Sequence, residues 1–358
     1  MKQRPIKLPE DTKPHDTIIE WWYFNGHLAD AKGARYSFMD CLFRADADKV
    51  NIPYLKNIFS RSVSGKYVAF AHSTLANITK KTSEREIQNI SLFSRDSFTR
   101  PLFYVNYIDP IATAKGFLVN EMAEIKPGIF HVKTRWIDLV MESKRKPLLE
   151  GGQGFITMRG RESFYYSLTD LTTTGAIRVG EEWVPVTGRS WMDHQWADVA
   201  YAKDKWTWFS MRLDDGTVLM CVEYDDGKGK DYLVDILDSN GRAAHYRHAV
   251  FTQGKERWKS RMTKTEYPLS WTITVPQANL TLTTSAPLPN QEMIFGSINY
   301  WEGPISVAAT VGGKRRKGVG FMELSGYPSN YNFLLLAGKK VNKKLQEELS
   351  TRVKDFFK

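Results

Sequence analysis

Short runs in which apolar and polar residues alternate, separated by turn-forming residues, dominate the chain. Residues 36–43 (YSFMDCLF) and 66–75 (KYVAFAHSTL) are two such runs, and the second half of the chain contains several more of similar length. The side chains of a β-strand point alternately to the two faces of its sheet, so this pattern predicts strands. We therefore expect an all-β protein with antiparallel sheets.

Turn residues between these runs predict hairpins in the second half of the chain. The sequence DDG at residues 214–216 separates the runs at 206–213 and 218–224, and further turns follow at residues 225–227 and 239–241. Gly, Asn and Asp adopt the backbone conformations that tight hairpin turns require. A regular series of hairpins favours an antiparallel barrel over a parallel α/β sheet.

Two stretches depart from the strand pattern. Residues 80–100 are polar and weakly periodic, and we expect them to form a surface excursion. From residue 339 onwards, apolar residues recur at every fourth position, which predicts an amphipathic helix. We expect this helix to dock against a barrel, although its lysines also allow contact with a membrane surface.

A chain of 358 residues is long enough for two domains of ordinary size. The segment at residues 180–185 has the character of a joint between two halves, and it sets the predicted boundary. We expect an N-terminal β domain at residues 1–184, built as a sandwich or open barrel, and a C-terminal β-barrel domain at residues 185–338. The predicted helix then occupies residues 339–358.

The composition is that of a globular protein rich in aromatic side chains. Hydrophobic residues make up 42% of the chain and aromatic residues 13%, with 11 tryptophans, which fits β-sheet cores or the walls of an apolar binding site. Cys41 and Cys221 lie in separate apolar runs, so we expect two buried free thiols rather than a disulfide. The sequence has none of the usual zinc, phosphate-loop or dinucleotide motifs. We therefore expect neither a metal ion nor an organic cofactor.

Basic residues outnumber acidic ones and give a formal net charge of +10. The run KRRK at residues 314–317 follows two glycines, as expected for an exposed hairpin tip that keeps a sheet edge soluble. No nucleic-acid-binding motif accompanies it, so we expect no nucleic-acid partner, and the oligomeric state is left open. The N-terminal residues lack the apolar core of a secretory signal. A cytoplasmic location is expected, with export after removal of a signal as the alternative.

One stretch of the chain, SWMDHQW, combines an acid, an imidazole, an amide and two indoles. On a strand, alternation would send Trp191, Asp193 and Gln195 to one face and His194 and Trp196 to the other. A carboxyl group among large apolar side chains is desolvated, which raises its pKa as a proton donor at neutral pH requires. The alternative interpretation is a buried hydrogen bond between Asp193 and His194 that ties core elements together.

Several blocks of the chain, taken together and in order, resemble the family of carotenoid 1,2-hydratases and AttH-like proteins. The blocks are EWWYFNGHL at residues 20–28, SWMDHQW at 190–196, WTWFS at 206–210, LDDG at 213–216, YWEG at 300–303 and GFMELSGY at 320–327. Members of this family are two-domain, lipocalin-related β proteins, and the fold also includes kievitone hydratase and fungal cyclases that form decalin rings. The resemblance covers residues 14–327 and implies two lipocalin-like antiparallel β domains.

The resemblance also implies a pocket near the place where the two halves meet. In the carotenoid hydratases the aspartate of the block W-[ML]-D-[HR] is the suspected acid, which implies Asp193 here. The reaction also needs a held water molecule, for which His194, His72 or Glu20 are candidates as hydrogen-bond partner or base, and His194 is predicted as the second catalytic residue. Gln195 stands where the family often has Glu, and the loss of that carboxylate argues against a two-carboxylate mechanism. The predicted substrate-binding residues are Glu20, Trp21, Trp22, Tyr23, His72, Tyr166 (or its neighbour Tyr165), Trp191, Gln195 and Trp196.

Hydration of an isolated carbon–carbon double bond starts with protonation and leaves a carbocation. Such a site needs a protonated acid, a held water molecule and aromatic faces, each of which stabilises a nearby cation by about 0.5–2 kcal/mol. We therefore expect a hydro-lyase that adds water to an apolar isoprenoid, polyene or lipid-like substrate. Two alternatives stay open, because one fold hosts many activities: a cofactor-free cyclase that shapes a polyene, and a non-catalytic lipocalin-type binding protein for an apolar ligand.

Overall fold

The structure, a computed structural model, contains β-strands and short 3₁₀ turns. It describes residues 1–46, 49, 66–91, 100–108, 119–199, 204–295 and 298–329. The 3₁₀ turns lie at Glu10–Thr12, Glu150–Gly152 and Pro276–Ala278. All strand pairs within the described residues are antiparallel, which confirms the all-β prediction. Among these same residues, no helix is long and apolar enough to span a membrane.

The first sheet contains twelve of the described strands. They are β1 (Ile19–Asp30), β2 (Arg35–Asp46), β3 (Tyr67–Asn77), β4 (Thr82–Ser91), β5 (Tyr104–Ile108), β6 (Val119–Lys126), β7 (Ile129–Lys133), β8 (Ile137–Ser143), β9 (Leu148–Leu149), β10 (Phe155–Met158), β11 (Arg161–Val179) and β12 (Glu182–Ala197). Their order across the sheet is β4-β3-β2-β1-β12-β11-β8-β7-β6-β5, and β9 and β10 pair with β11. Strand β1 therefore lies in the middle, between β2 and β12.

The second sheet is built from the later part of the chain. Its strands are β13 (Lys205–Leu213), β14 (Val218–Asp225), β15 (Lys230–Leu237), β16 (Ala243–Tyr246), β17 (Val250–Gln253), β20 (Ser270–Val275), β21 (Leu280–Ser285), β22 (Glu292–Phe295), β23 (Ile298–Val311) and β24 (Lys314–Ser325). Their order is β16-β15-β14-β13-β24-β23-β21-β20-β17, with β22 beside β23. Strands β18 (Arg257–Lys259) and β19 (Glu266–Pro268) form a separate two-stranded ribbon.

Each sheet curls around an apolar core of its own. In the first sheet, Leu75 of β3 and Val105 of β5 belong to one buried cluster although their strands lie near opposite ends of the strand order. In the second sheet the same holds for Val234 of β15 and Ile273 of β20. Each sheet must therefore fold back on itself, as expected for a sandwich or barrel.

A third apolar cluster lies between the two sheets. Alternation along the strands decides which residues reach it, because neighbours in sequence point to opposite faces. The register pairs Tyr23 with Asp193 and Trp22 with His194. Tyr23 faces the second sheet, whereas Trp22 lies in the core of the first. The cluster between the sheets also contains the buried free thiol of Cys41; Cys221 is likewise free and buried, which confirms the prediction for both cysteines.

Two stretches outside the predicted strands belong to strands of the structure. Within residues 80–100, predicted as a surface excursion, Thr82–Ser91 forms β4; as the terminal strand of the sheet order, β4 needs no strong apolar pattern. The basic run at residues 314–317, predicted at an exposed hairpin tip, follows the turn at Gly312 and Gly313 as the first part of β24, and Lys314, Arg315 and Lys317 are exposed.

The division into two domains stays a prediction, but its boundary at residue 184 falls within β12, which pairs along its length with β1 and β11. The chain passes from the first sheet to the second between Ala197 and Lys205. The predicted helix at residues 339–358 lies outside the described residues.

Gly188 gives a direct test of the contact between β1 and β12. A Cβ atom at this position would lie 2.1 Å from the carbonyl oxygen of His27 and 2.9 Å from Cα of Leu28. Both are backbone atoms, so β1 itself would have to shift. We expect Gly188→Ala to lower the free energy of unfolding by about 3 kcal/mol, measured by urea unfolding.

Gly180, in the turn of the same β11–β12 hairpin, provides the matched control. It has a φ of 64°, and a Cβ atom there would meet nothing within 4 Å. Gly180→Ala should therefore cost only the roughly 1–2 kcal/mol of a left-handed backbone. Equal losses in the two variants would contradict the close approach of β1 and β12.

Candidate active site between the two sheets

A cavity of about 160 Å³ lies between the inner faces of the two sheets. Most of its wall is apolar and aromatic, with Trp21 and Tyr23 from the first sheet and Trp206, Trp208 and Tyr300 from the second. Polar groups also reach it, and the acidic ones among them are Asp193, Glu302 and Glu323. An enclosed apolar wall with a few convergent polar groups is the usual form of a small-molecule site.

Four of the predicted site residues line this cavity, and two lie directly behind its wall. The four are Trp21, Tyr23, Asp193 and Gln195. Trp191 donates a hydrogen bond from its indole Nε1 to Oδ1 of Asp193, at 2.6 Å. His72 is buried behind the wall and hydrogen-bonds to the hydroxyl of Tyr300.

The other predicted site residues lie on the opposite face of the first sheet, outside the cavity lining. These are Glu20, Trp22, Tyr166, His194 and Trp196. Neighbours on a strand point to opposite faces, so Asp193 and His194 cannot act together on one ligand. The structure therefore does not bring the predicted catalytic pair to one cavity, although the alternation that separates its members was already readable from the sequence.

The hydroxyl that reaches the cavity from strand β11 belongs to Tyr165 and not to Tyr166. Tyr165 donates a hydrogen bond to Oδ2 of Asp193, at 2.7 Å, and accepts one from Nε1 of Trp208 in the second sheet, at 3.0 Å. Tyr166 instead lies in the core of the first sheet near His194. The β-bulge between Leu168 and Leu171 follows both tyrosines in the sequence, so it does not change the face of the sheet to which either side chain points.

His194 belongs to a separate buried network on the far side of the first sheet. Oε1 of Glu20 accepts hydrogen bonds from Nδ1 of His15, at 2.7 Å, and from Nε2 of His194, at 2.9 Å. Arg44 lies 3.2 Å from the other oxygen of Glu20. Burial raises the pKa of Glu20, but the hydrogen bonds from the two histidines outweigh it and leave this pKa below its ordinary value.

Of the described residues, His15, Glu20 and His194 are the group with the spacing of metal ligands, since their ligand atoms lie within 4.8 Å of one another. Both imidazoles already bond the same carboxylate oxygen, and the cation of Arg44 offsets the charge that would attract a metal ion. The ring of His15 also stacks on Trp196 at 3.9 Å. We interpret this network as a tie between the N-terminal segment and the first sheet.

Asp193 sits at the centre of the cavity's polar groups. Its Oδ1 accepts hydrogen bonds from Oγ of Ser167, at 2.5 Å, and from Trp191, and its Oδ2 accepts one from Tyr165. Burial raises the pKa of Asp193 to about 6, although these three donors favour the charged form. The pKa of Asp193 is therefore raised by burial, as the sequence predicted. The charged form nevertheless has three hydrogen-bond donors from the protein.

Two further carboxyl groups face Asp193 from the second sheet, and the sequence analysis did not select them. Glu302 of β23 lies directly opposite Glu323 of β24, and Oε1 of Glu302 accepts a hydrogen bond from the hydroxyl of Tyr23, at 2.7 Å. Burial raises the pKa of Glu302 well above its ordinary value, and the nearby charge of Glu323 adds to this rise. Burial also raises the pKa of Glu323 to about 7.

These carboxyl groups remove the argument that Gln195 had provided against a two-carboxylate mechanism. The cavity holds three acids, and the second and third come from another sheet rather than from the position of Gln195. A signal for them was present, since each glutamate has large apolar neighbours within the blocks YWEG and GFMELSGY. Burial of a charged residue at an inward strand position costs free energy, so such a residue suggests a functional role.

Asp193 is also linked to a fourth buried acid, Glu150. Oγ of Ser167 lies 2.6 Å from Oε1 of Glu150 and 2.5 Å from Oδ1 of Asp193. A hydroxyl has one hydrogen to donate, so one of the two carboxyl groups must supply a proton of its own. Burial, together with the neighbouring Asp235, raises the pKa of Glu150 well above its ordinary value, which favours Glu150 as the carboxyl group that carries this proton.

Two facing antiparallel sheets, each curled around its own core, with an apolar cavity between them, define a lipocalin-like β protein of two sheets. A solved structure bears out this class: the crystal structure of a putative AttH (NE1406) from Nitrosomonas europaea matches with a TM-score of 0.73 and 22% identity, over 92% of this chain and 99% of that one. The AttH-like family matches residues 1–327, and the chain belongs to this family.

Two curated relatives carry names that describe a reaction. Dehydratase asqC of Emericella nidulans is 24% identical over 202 residues, which is 52% of this chain and 57% of the relative. Kievitone hydratase of Fusarium solani subsp. phaseoli is 22% identical over 203 residues, 52% of this chain and 56% of the relative. The chain thus spans about half the length of the curated relatives that it matches. The predicted family resemblance is confirmed.

The raised pKa of Asp193 makes a prediction about stability and pH. In the unfolded chain this aspartate has its ordinary pKa of 3.8, whereas in the folded protein its pKa is about 6. Between these values the folded protein holds a proton that the unfolded chain has lost. The contribution of Asp193 to stability is therefore fully present below about pH 4 and falls as the pH rises to about 6.

Urea unfolding of the wild type and Asp193→Asn at several pH values measures this effect. The difference between their free energies of unfolding should change by about 3 kcal/mol from pH 4 to pH 7, in favour of the variant at the higher pH. The other acidic groups are the same in both proteins, so their contributions to the pH dependence of stability cancel to first order in this difference. A difference that stays constant across this range would mean that Asp193 is not desolvated.

Proposed function

We propose that the cavity between the sheets catalyses the addition or removal of water at a carbon–carbon bond of an apolar substrate. One observation carries the proposal: three buried carboxyl groups with raised pKa values, Asp193, Glu302 and Glu323, converge on one apolar cavity. Hydro-lyase chemistry needs a proton donor and a proton acceptor on one substrate. The names of the two curated relatives, a dehydratase and a hydratase, support this reaction class.

The proposed acid and the proposed base lie on opposite sides of the cavity. Three donors hold the charged form of Asp193, and with a pKa of about 6 it is mostly ionised at neutral pH. Glu302 lies beside another carboxyl group in an apolar wall, and its pKa is well above the ordinary value. We therefore assign the base to Asp193 and the acid to Glu302, which differs from the sequence-based assignment of Asp193 as proton donor.

In the dehydration direction, Asp193 takes a proton from carbon while the neighbouring carbon–oxygen bond breaks. Glu302 gives its proton to the departing hydroxyl, which leaves as water, and hydration is the reverse sequence. The aromatic faces of Trp21, Trp206 and Trp208 stabilise cationic character at the carbon that loses oxygen. The apolar wall also keeps other water molecules away from the reacting bond.

The volume of the cavity suggests the size of the reacting group. A cavity of about 150 Å³ holds a molecule of the size of benzene, and the cavity here measures about 160 Å³. The proposed substrate therefore places a ring-sized or short branched apolar segment between the sheets. A carotenoid, or any long polyene, would have to leave most of its length outside, so we favour a compact substrate over the isoprenoid chain that the resemblance implied.

Replacement of Asp193 tests the proposed reaction. Host extract is incubated with the wild type or with Asp193→Asn, and untargeted mass spectrometry searches for pairs of compounds that differ by the mass of one water molecule. The wild type should interconvert such a pair, and the variant should do so about 10²–10⁴-fold more slowly, because the base is gone. The affinity for the same compound should stay within a few-fold, since the shape of the wall is unchanged.

The same experiment separates the alternatives that the sequence left open. A cyclase would give a product of unchanged mass, with little effect of Asp193→Asn and a large effect of Trp208→Ala. A carrier would retain a compound without converting it. Either outcome would contradict the proposed hydro-lyase activity.

Glu302→Gln tests the assignment of the acid, with the compound pair found above as substrate. Glutamine can still accept the hydrogen bond from Tyr23, but it cannot donate a proton to the substrate. Turnover should fall about 10²–10⁴-fold. In the wild type, turnover should rise with pH through about 6 as Asp193 ionises.

Glu292→Gln is the matched control, because Glu292 is a buried glutamate of the neighbouring strand β22 that lies outside the cavity lining. It accepts hydrogen bonds from Ser260, Thr263 and Tyr267. Glu292→Gln should therefore affect stability and leave turnover nearly unchanged. Full activity in Glu302→Gln, or an equal loss in both variants, would contradict the role of Glu302.

A further inference from the structure

A second cavity, of about 370 Å³, lies between the same two sheets, further along the strands. Strand β1 lines the candidate active site with its first half, including Trp21 and Tyr23, and the second cavity with its second half, including Asn25 and His27. The side chains of Asn25 and Ser210 meet between the sheets, with Nδ2 of Asn25 3.2 Å from Oγ of Ser210. The space between the sheets is thus divided into two compartments along β1.

The charge of the second cavity is opposite to that of the active-site cavity. Arg35, Arg189 and Arg212 line it, and among the described lining residues there is no acidic one. The active-site cavity, by contrast, is lined by three carboxyl groups and one arginine, Arg161. An arginine guanidinium is always charged and presents a planar set of donors that matches carboxylate and phosphate groups.

Two of these arginines pair with Asp170, a residue outside the lining of the second cavity that also pairs with Arg145. Asp170 lies 3.0 Å from Nη1 of Arg189, 3.0 Å from Nη1 of Arg212 and 3.4 Å from Nε of Arg145. The negative charge of Asp170 is therefore shared among three arginine side chains, and Arg35 adds a fourth positive charge nearby. Burial lowers the pKa of Arg212; the charge of Asp170 opposes this effect, and the charges of Arg189 and Arg145 add to it.

His27 adds a neutral polar group to the same cavity. Its Nε2 donates a hydrogen bond to the carbonyl oxygen of Gly320, at 3.1 Å. Burial lowers the pKa of His27 to about 4, and the charges of Arg212 and Arg35 act in the same direction. His27 is therefore uncharged at neutral pH, and the arginines are the groups that would hold an anion.

The rest of the wall is apolar, with Leu28, Met211, Pro304, Ile305 and Val319 among the lining residues. A bare inorganic anion would leave this apolar surface unused, whereas an amphipathic molecule would cover it and bring a charge to the arginines. We propose that the second cavity binds the carboxylate or phosphate group of an amphipathic ligand, with Arg189 and Arg212 as its direct partners. This proposal does not depend on the reaction proposed for the first cavity.

Trp191 provides a built-in readout of occupancy. Its side chain lines the second cavity, while its indole Nε1 donates to Asp193 of the first. A ligand that enters the second cavity contacts one side of this indole, so its binding should change tryptophan fluorescence. The readout persists if the reaction proposed for Asp193 is absent.

Sodium octanoate, an amphipathic carboxylate, is the probe, titrated by calorimetry and by tryptophan fluorescence at constant ionic strength. We expect saturable binding at one site per chain. Arg212→Gln and Arg189→Gln should each weaken it about tenfold or more, because each removes a charge-assisted hydrogen bond of about 1.5–3 kcal/mol. Octanol, which has the same chain without the charge, should bind at least about tenfold more weakly for the same reason.

Two further variants guard against loss of folding as the cause. Arg178→Gln is the control for arginine replacement. Arg178, near the end of β11, pairs with Glu181 outside the cavity lining, so this variant should leave octanoate affinity unchanged. Thr187→Trp replaces an exposed lining residue and should block binding by filling the space, with all arginines retained. Circular dichroism checks that every variant is folded.

Three results would overturn the proposal. The first is the absence of saturable octanoate binding to the wild type. The second is octanoate affinity that is unchanged in both Arg212→Gln and Arg189→Gln. The third is inorganic phosphate that binds as tightly as octanoate, which would mean that the apolar wall contributes nothing.

Discussion

The burial of one carboxyl group, that of Asp193, between two β-sheets is the interaction on which the proposed chemistry depends. Removal from water raises its pKa to about 6, and hydrogen bonds from Ser167, Tyr165 and Trp191 keep its charged form accessible. A buried charge without partners would be far more costly. The three donors belong to the first sheet, whereas the removal from water needs the second sheet, whose Trp208 donates a hydrogen bond to Tyr165. The acid–base function thus exists only where the two sheets face each other.

The same facing sheets create two compartments with opposite charge, and the order of residues along a few strands determines which is which. The last part of β12 and the inner residues of β23 and β24 bring carboxyl groups to one compartment, and the first half of β1 adds Trp21 and Tyr23 to its wall. Strands β2, β12 and β13 bring Arg35, Arg189 and Arg212 to the other, and Arg189 lies only four residues before Asp193 on β12. Opposite charges close together in sequence are therefore separated along the strand, and each compartment keeps its own electrostatic character.

Local sequence patterns predicted much of this architecture, and the site residues and the strand that they missed have identifiable physical explanations. Alternation and turn residues predicted the strands that flank the site, and they placed Asp193 and His194 on opposite faces of β12. The sequence-based pairing of these two residues ignored that alternation. The sequence named Tyr166 with Tyr165 as the alternative, and the structure brings Tyr165 to the cavity. Glu302 and Glu323 were missed because they reach Asp193 only through the packing of one sheet on another, more than 100 residues away in sequence, which no local pattern encodes. The polar edge strand β4 was missed because edge strands do not need a strong apolar pattern.

The most direct test of the account is a carbon NMR titration of Asp193 in protein labelled at its aspartate carboxyl carbons, with the resonance assigned by its absence from Asp193→Asn. The account predicts that the chemical shift of this carbon changes with a midpoint near pH 6. A midpoint at or below the ordinary aspartate value of 3.8 would show that the carboxyl group is not desolvated between the sheets, and it would contradict the assignment of Asp193 as the catalytic base.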